Sequence, residues 1–177
     1  MAQIRTMRDN EAGRVRDLWL QMCAEAGTPL PEASARQILT NLKQYPAHQN
    51  VRCLVVEEQG NLTGFLTCAL TRHPIAPGLS GEIEELYVQS GTPQEQTLLA
   101  ELVRQAVVYM QAQGARSIHT HIGIGEESPE EPEQRAFWQS LGWVNDMTIY
   151  SIYSDVPGDP ALQRVWNEYR AQQGNDH

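Results

Sequence analysis

One stretch of the sequence, Gly81 to Gly114, constrains the fold most because it combines a buried strand with one long helix. The strand is predicted over Ile83 to Val88, and a short turn at Gln89 to Gly91 follows it. Apolar residues that recur with a period of 3.6 give the helix one wide apolar face. They are Leu98, Leu99, Leu102, Val103, Ala106, Val107 and Met110. A strand that enters a helix through a tight turn often places an anion at the first helical turn.

Both ends of this helix carry sequence signals. Thr92 is predicted as the N-cap, with Pro93 in the first helical position and Glu95 completing a capping box. Gly114 is predicted to end the helix at the C′ position. The capping box would occupy N–H groups that an anion needs, and Glu95 would add negative charge beside them.

The rest of the chain alternates strands with helices. One strand, two helices and a hairpin with its turn at Glu58 to Asn61 are predicted before the central stretch. A strand at Arg116 to Ile122, a short helix that ends at Gly142 and a strand-like segment at 143–153 follow it. The order β α α β β β α β α β indicates an α/β (α+β) fold with a mixed, mostly antiparallel sheet flanked by helices.

The chain is predicted to form one domain over residues 1–154 with a helical tail over residues 155–177. The tail helix begins at Asp159 and has an apolar stripe that includes Trp166. This stripe would pack either on its own domain or on a second copy, so a homodimer is one expectation.

Charge and composition limit the partners. The formal net charge of −9 makes nucleic acid and anionic membranes unexpected partners, whereas cationic amines are compatible with it. The N-terminus has no apolar signal core, and no apolar run reaches transmembrane length. Cys23, Cys53 and Cys68 lack metal-ligand spacing and are expected to be reduced core thiols of a cytoplasmic protein.

Two segments resemble the GNAT superfamily of acyl-CoA-dependent N-acetyltransferases. Ile83 to Val88 and the following helix resemble the core strand–turn–helix of that family, and Phe137 to Trp143 resembles its closing segment, which ends in an LGF-like motif. The similarity covers Gln3 to Tyr153. It implies a GNAT-like fold and transfer of an acetyl group from acetyl-CoA to the amine of a small molecule or peptide.

The resemblance also implies where the catalytic base would lie. The base of the family is often a carboxylate on the core strand, so Glu84 and Glu82, which alternate onto one strand face, are candidates. His121 on the next strand is the third candidate. A solvated strand end, with Glu85 included, is the alternative for the glutamates. His119 and His121 could form half of a metal site, but no partner ligands are evident, and no metal is predicted.

The turn of the family has glycines that let the backbone approach the cofactor diphosphate. Gln94 fits that motif, but Thr97 and Leu99 stand where the glycines would be, and Trp138 replaces the general-acid tyrosine of the family. The implied cofactor-binding residues are Leu86, Tyr87, Val88, Gln94 and Thr97.

Two functions therefore stay open at the level of the sequence. The first is an acyltransferase that uses acetyl-CoA, which the strand and the closing segment favour. The second is a non-catalytic binding or scaffold protein of the same fold that has lost acetyl-CoA binding, which the residues of the turn favour. The fold alone does not decide between them.

Overall fold

The computed structural model describes residues 2–72, 78–120 and 131–143 of the chain. The described residues fall into two compact units, which divide between residues 123 and 124. The strands are β1 (Gln3–Thr6), β2 (Val51–Glu58), β3 (Asn61–Arg72), β4 (Leu79–Val88) and β5 (Ala115–Thr120). The helices are α1 (Ala12–Glu25), α2 (Glu32–Gln44), α3 (Glu95–Ala112) and α4 (Glu131–Ser140).

The five strands of the first unit form one sheet in the order β1-β2-β3-β4-β5. The first three pairings are antiparallel, and β4 pairs with β5 in parallel. The β2–β3 hairpin turns through Gln59 and Gly60, whose φ angles of 52° and 83° are both positive, as in a type I′ turn. The mixed, mostly antiparallel sheet that the sequence predicts is therefore confirmed.

Helices cover both faces of this sheet. Val15 of α1 and Leu42 of α2 are fully buried in one cluster with Phe65 of β3. On α3, Leu102, Val103, Ala106 and Met110 are buried. Gly81 of β4 lets α3 approach closely, because a Cβ atom at this position would lie 2.5 Å from the Met110 sulfur.

The two ends of α3 differ in how well the sequence predicts them. Gly114 adopts φ +94° after the last helical turn, which confirms it as the C′ residue. The predicted capping box is wrong, because α3 begins at Glu95 and no side chain caps it. Gln94 takes a left-handed conformation that interrupts the helical path, so the Thr92 carbonyl, rather than its hydroxyl, accepts a hydrogen bond from the Glu95 N–H (3.1 Å).

The second unit contains α4 and the three residues after it. The Trp138 ring packs edge-on against Phe137, with centroids 5.3 Å apart, and against Trp143 at 4.8 Å. The predicted domain boundary after residue 154, the tail helix and the homodimer contact lie outside the described residues and stay predictions. None of the helices described here is long and apolar enough to span a bilayer.

Candidate functional site

A β-bulge interrupts strand β4 in the middle of the sheet. Thr67 of β3 pairs with Glu85, and the next residue of β3, Cys68, pairs with Ile83. Glu84 is therefore the extra residue of the bulged strand and has no partner on β3 in this register. A bulge changes the alternation of side chains, so Glu84 and Glu85 can both project toward the same side of the sheet.

One hydrogen bond and one electrostatic effect indicate that Glu84 and Glu85 both face the helices α1 and α2. The Tyr45 hydroxyl, at the end of α2, donates a hydrogen bond to Oε2 of Glu84 (3.2 Å). Glu85 lies close enough to Cys23 of α1 to raise the pKa of that thiol, after the larger effect of burial. The bulge thus brings two adjacent carboxylates to one face, where simple alternation would separate them.

The electrostatics of Glu85 make it the best-placed proton acceptor on β4. Desolvation by burial, with repulsion from Glu84, raises the pKa of Glu85 from 4.5 to about 7. Desolvation also raises the pKa of Glu84, and Glu82 adds to this, whereas the hydrogen bond from Tyr45 opposes it. A carboxylate with a pKa near neutrality can accept and release a proton at physiological pH.

The other predicted catalytic residues have less distinctive surroundings or lie outside the described residues. Glu82 is half-buried and pairs with His119 across the parallel strands β4 and β5. His121 lies outside the described residues, so its role stays a prediction. Among the residues that the structure describes, no group of three or more His, Cys, Asp or Glu side chains could hold a metal ion.

The turn after β4 is tied to the end of helix α1 by one carboxylate. Glu25 accepts hydrogen bonds from the Tyr87 hydroxyl (3.1 Å) and the Ser90 hydroxyl (2.9 Å). The Gln89 side chain also donates to Gln21 of α1 (3.3 Å). The Tyr87 hydroxyl is used in this network, and its backbone pairs with Phe65 of β3, two residues before the Gln89 N–H that bonds to the Thr63 carbonyl (2.8 Å).

The first turn of α3 presents backbone donors to solvent. Gln94 and Thr97, both predicted to bind the cofactor, are exposed there. The Leu98 N–H bonds to the Gln94 carbonyl (3.0 Å), whereas in the described part of the chain the N–H groups of Gln96 and Thr97 have no backbone acceptor. Free N–H groups at a helix N-terminus attract anions, and the half-buried Glu95 opposes this attraction.

Strand β4 continues past its pairing with the described part of β5. That pairing ends at Ile83 and Thr120, whereas Leu86 and Val88 still pair with β3. On the side away from β3, this part of β4 has no strand partner among the described residues. The segment Leu86 to Val88 therefore leads from the carboxylates of the bulge to the free N–H groups of α3.

Comparison with known proteins places these features in a wider context. The sequence profile of the acetyltransferase (GNAT) family matches residues 17–143. No curated protein matches the sequence significantly.

Several solved structures share the fold. A transcriptional regulator from Bacillus halodurans C-125 superposes with a TM-score of 0.71 at 14% identity, over 86% of this chain and 99% of that chain. Glucosamine-6-phosphate N-acetyltransferase from Arabidopsis thaliana gives 0.67 at 17% identity, over 88% and 99%. An aminoglycoside N-acetyltransferase in complex with CoA gives 0.69 at 16% identity, over 88% and 96%. At such low identities, these structures establish the fold alone.

Proposed function

The chain belongs to the acetyltransferase (GNAT) family, and on this basis we propose that it transfers an acetyl group from acetyl-CoA to an amine. The observation that carries this proposal is Glu85, a half-buried carboxylate with a pKa of about 7 beside the bulge of β4. A base must remove a proton from an ammonium group before its nitrogen can attack a carbonyl carbon. Glu85 has the acidity and the position for this step.

The acceptor side of the site is the face of β4 that Glu84 and Glu85 share. A cationic acceptor is attracted by these carboxylates and by the net charge of −9. Glu85 takes the proton of the bound ammonium on its carboxylate, which becomes neutral. Glu84, held by Tyr45, lies next to the acceptor and orients it. The acceptor class is an amine of a small molecule or peptide, and the aminoglycoside and glucosamine-6-phosphate acetyltransferases of the same fold have names that imply amine acceptors.

The donor side of the site is the path from β4 to α3. Acetyl-CoA, when bound, supplies the thioester whose acyl group is transferred. Backbone groups of Leu86 and Val88, which alternate away from β3, would hold its pantetheine arm along the unpaired side of β4 with Tyr87 between them, since backbone N–H and C=O groups need partners. Gln94, Thr97 and the free N–H groups of the first helical turn would hold the diphosphate.

The test of this proposal is a calorimetric titration with acetyl-CoA. We expect saturable binding to the wild-type protein, and binding two- to fivefold tighter to Glu95→Gln, because a charge at a helix N-terminus is worth about 0.3–1 kcal/mol. Glu101→Gln is the matched control, since it removes the same charge farther along α3, where Glu101 contacts Arg104 (3.4 Å) and Gln105 (3.3 Å) of the same helix. Failure of both the wild type and Glu95→Gln to bind acetyl-CoA would contradict the proposal.

A second prediction concerns the left-handed residue at the start of α3. Gln94 has φ +62°, and Gln59 in the β2–β3 hairpin has φ +52°. Valine disfavours this conformation, so Gln94→Val and Gln59→Val are each expected to lower the free energy of unfolding by about 1–2 kcal/mol in chemical denaturation. Gln94→Val alone should also weaken acetyl-CoA binding, because it alone disturbs the N–H groups of α3. Equal weakening by both variants would show that the effect is general instability.

A further inference from the structure

A cavity of about 320 Å³ lies at the edge of the sheet where strand β2 begins, beyond the end of β1. This volume falls at the lower end of the range for small-molecule sites. Both aromatic and polar side chains line the cavity, together with apolar residues. They include Tyr45, Pro46, His48, Val51, Arg52 and Tyr109.

The guanidinium group of Arg52 is held in this cavity without an acidic partner. It lies over the Tyr109 ring, with its central carbon 3.8 Å from the ring centroid. The Tyr109 hydroxyl in turn donates to the Gln49 carbonyl (3.1 Å), which fixes the ring. Among the described residues, no carboxylate lies within ion-pair distance of Arg52, and no acceptor meets its guanidinium N–H groups. Half-buried donors in a fixed orientation are therefore left for a ligand.

The charge of the cavity is opposite to that of the protein. Its lining contains Arg52 and the imidazole of His48 but no aspartate or glutamate, although the chain has 22 acidic residues and 13 Lys and Arg residues. The field of the whole chain favours cations, so only a local arrangement of donors can hold an anion here. One fixed cation balances one negative charge, and the planar guanidinium matches a carboxylate with two parallel hydrogen bonds.

We propose that this cavity is a binding site for a small, flat organic carboxylate, whose carboxylate is held by Arg52 and whose flat part packs against Tyr45. The Tyr45 ring supplies a stacking surface for a planar ligand, whereas the Tyr109 ring supports the guanidinium. This proposal concerns a second site and does not depend on acetyl transfer. Tyr45 connects the two regions, because its ring lines the cavity while its hydroxyl bonds to Glu84. A ligand that shifts Tyr45 therefore alters the surroundings of the β4 carboxylates.

The experiment is an NMR titration of the ¹⁵N-labelled full chain with benzoate, and with benzamide as the uncharged ligand of the same shape. We expect benzoate to shift the amide signals of Tyr45, of residues 47–53 and of Tyr109 in a saturable way and to bind at least about tenfold tighter than benzamide. Arg52→Met should weaken benzoate binding by about tenfold to a hundredfold, because it removes charge-assisted hydrogen bonds. Arg104→Met, which removes an exposed cation paired with Glu101 on α3, should leave benzoate affinity unchanged.

Four results with the wild type and Arg52→Met would overturn the proposal. They are equal affinity for benzoate and benzamide, unchanged benzoate affinity in Arg52→Met, shifts confined to other parts of the chain, and no saturable response into the millimolar range. Phenyl phosphate tests which type of anion the cavity prefers. Tighter binding of phenyl phosphate than of benzoate would show that the cavity binds a phosphate, and it would overturn the assignment of a carboxylate. If Arg52→Met fails to fold, Tyr109→Leu, which removes the ring beneath the guanidinium, should weaken benzoate binding, and unchanged affinity in that variant would equally overturn the proposal.

Discussion

Glu85→Gln is expected to lower kcat/KM for acetyl transfer by about a hundredfold to ten-thousandfold, the range that general acid–base catalysis contributes. Glutamine has nearly the same shape as glutamate but cannot take a proton from the acceptor. The measurement is release of CoA thiol during turnover with an amine that the wild type accepts. Glu101→Gln, on the exposed side of α3, is the matched control and should retain wild-type activity.

The pH profile separates loss of a base from loss of structure. Because Glu85 has a pKa of about 7 and acts only when deprotonated, kcat/KM of the wild type should rise with pH through about 7. The rise of kcat/KM through pH 7 should disappear in Glu85→Gln. The part of the pH profile that reflects titration of the acceptor amine should remain. The raised pKa means that charged Glu85 destabilises the folded state above the ordinary pKa of 4.5. The neutral variant should therefore melt at the same temperature as the wild type or higher.

Glu84→Gln distinguishes the two neighbouring carboxylates. If Glu84 orients the acceptor while Glu85 takes the proton, Glu84→Gln should mainly raise KM for the acceptor and keep the acid limb of the pH profile. A larger loss of kcat in Glu84→Gln than in Glu85→Gln would show that the base was correctly assigned from the sequence and that the bulge misled the structural assignment.

The sequence predicts the fold well because local signals and packing agree over most of the first unit. The period of 3.6 in α3, the glycine at residue 114 and the polar hairpin turn each indicate an element that the structure contains. The family resemblance is confirmed by the profile match over residues 17–143. These signals act within one element, so a single sequence is enough to read them.

The candidate site is harder to predict because it depends on one irregularity between strands. Alternation along β4 places Glu82 and Glu84 on one face and separates Glu85 from them. The register shift beside Cys68 brings Glu85 to the same side as Glu84. No residue type in β4 predicts a bulge at this position. The signal in the sequence is the pair of adjacent glutamates, because strict alternation would turn one of them toward a buried face, where carboxylates are uncommon without a role.

The turn before α3 shows how a plausible local motif can be displaced. Thr92, Pro93 and Glu95 match a capping box in sequence, and that motif would start the helix at Pro93. Gln94 instead adopts a left-handed conformation, and the helix begins at Glu95. The non-catalytic alternative relied partly on N–H groups that this capping box would occupy. The Glu95 N–H is still occupied, by the Thr92 carbonyl, but those of Gln96 and Thr97 have no backbone acceptor in the described part of the chain, so that argument is weakened. The negative charge of Glu95 is what remains against diphosphate binding.

A buried ion network holds the N-terminal strand against the sheet and supplies the second large effect. The Arg5 guanidinium donates to Glu11 (2.6 and 2.8 Å) and to Glu57 (2.7 Å). The side chains of Arg5 and Glu11 are only 14% and 6% exposed. Glu11 also accepts from the Arg8 N–H (2.8 Å), so its carboxylate serves as the cap of the short 3₁₀ turn that precedes α1.

Glu11→Gln is expected to lower the free energy of unfolding by roughly 2–3 kcal/mol, somewhat below the cost of breaking a fully buried pair, because Arg5 keeps Glu57. The control is Glu101→Gln, which breaks an exposed pair with Arg104 (3.4 Å) in the middle of α3 and should cost less than about 0.5 kcal/mol in the same urea titration. The hydrogen bond from Arg5 lowers the pKa of Glu11 from 4.5 to about 2. The contribution of Glu11 is thus complete above pH 4.5 and is lost as the pH falls toward 2, because the unfolded chain takes up the proton first. Wild-type stability should therefore fall across this window more steeply than that of Glu11→Gln, and parallel pH profiles would show that the network does not hold the charge on Glu11.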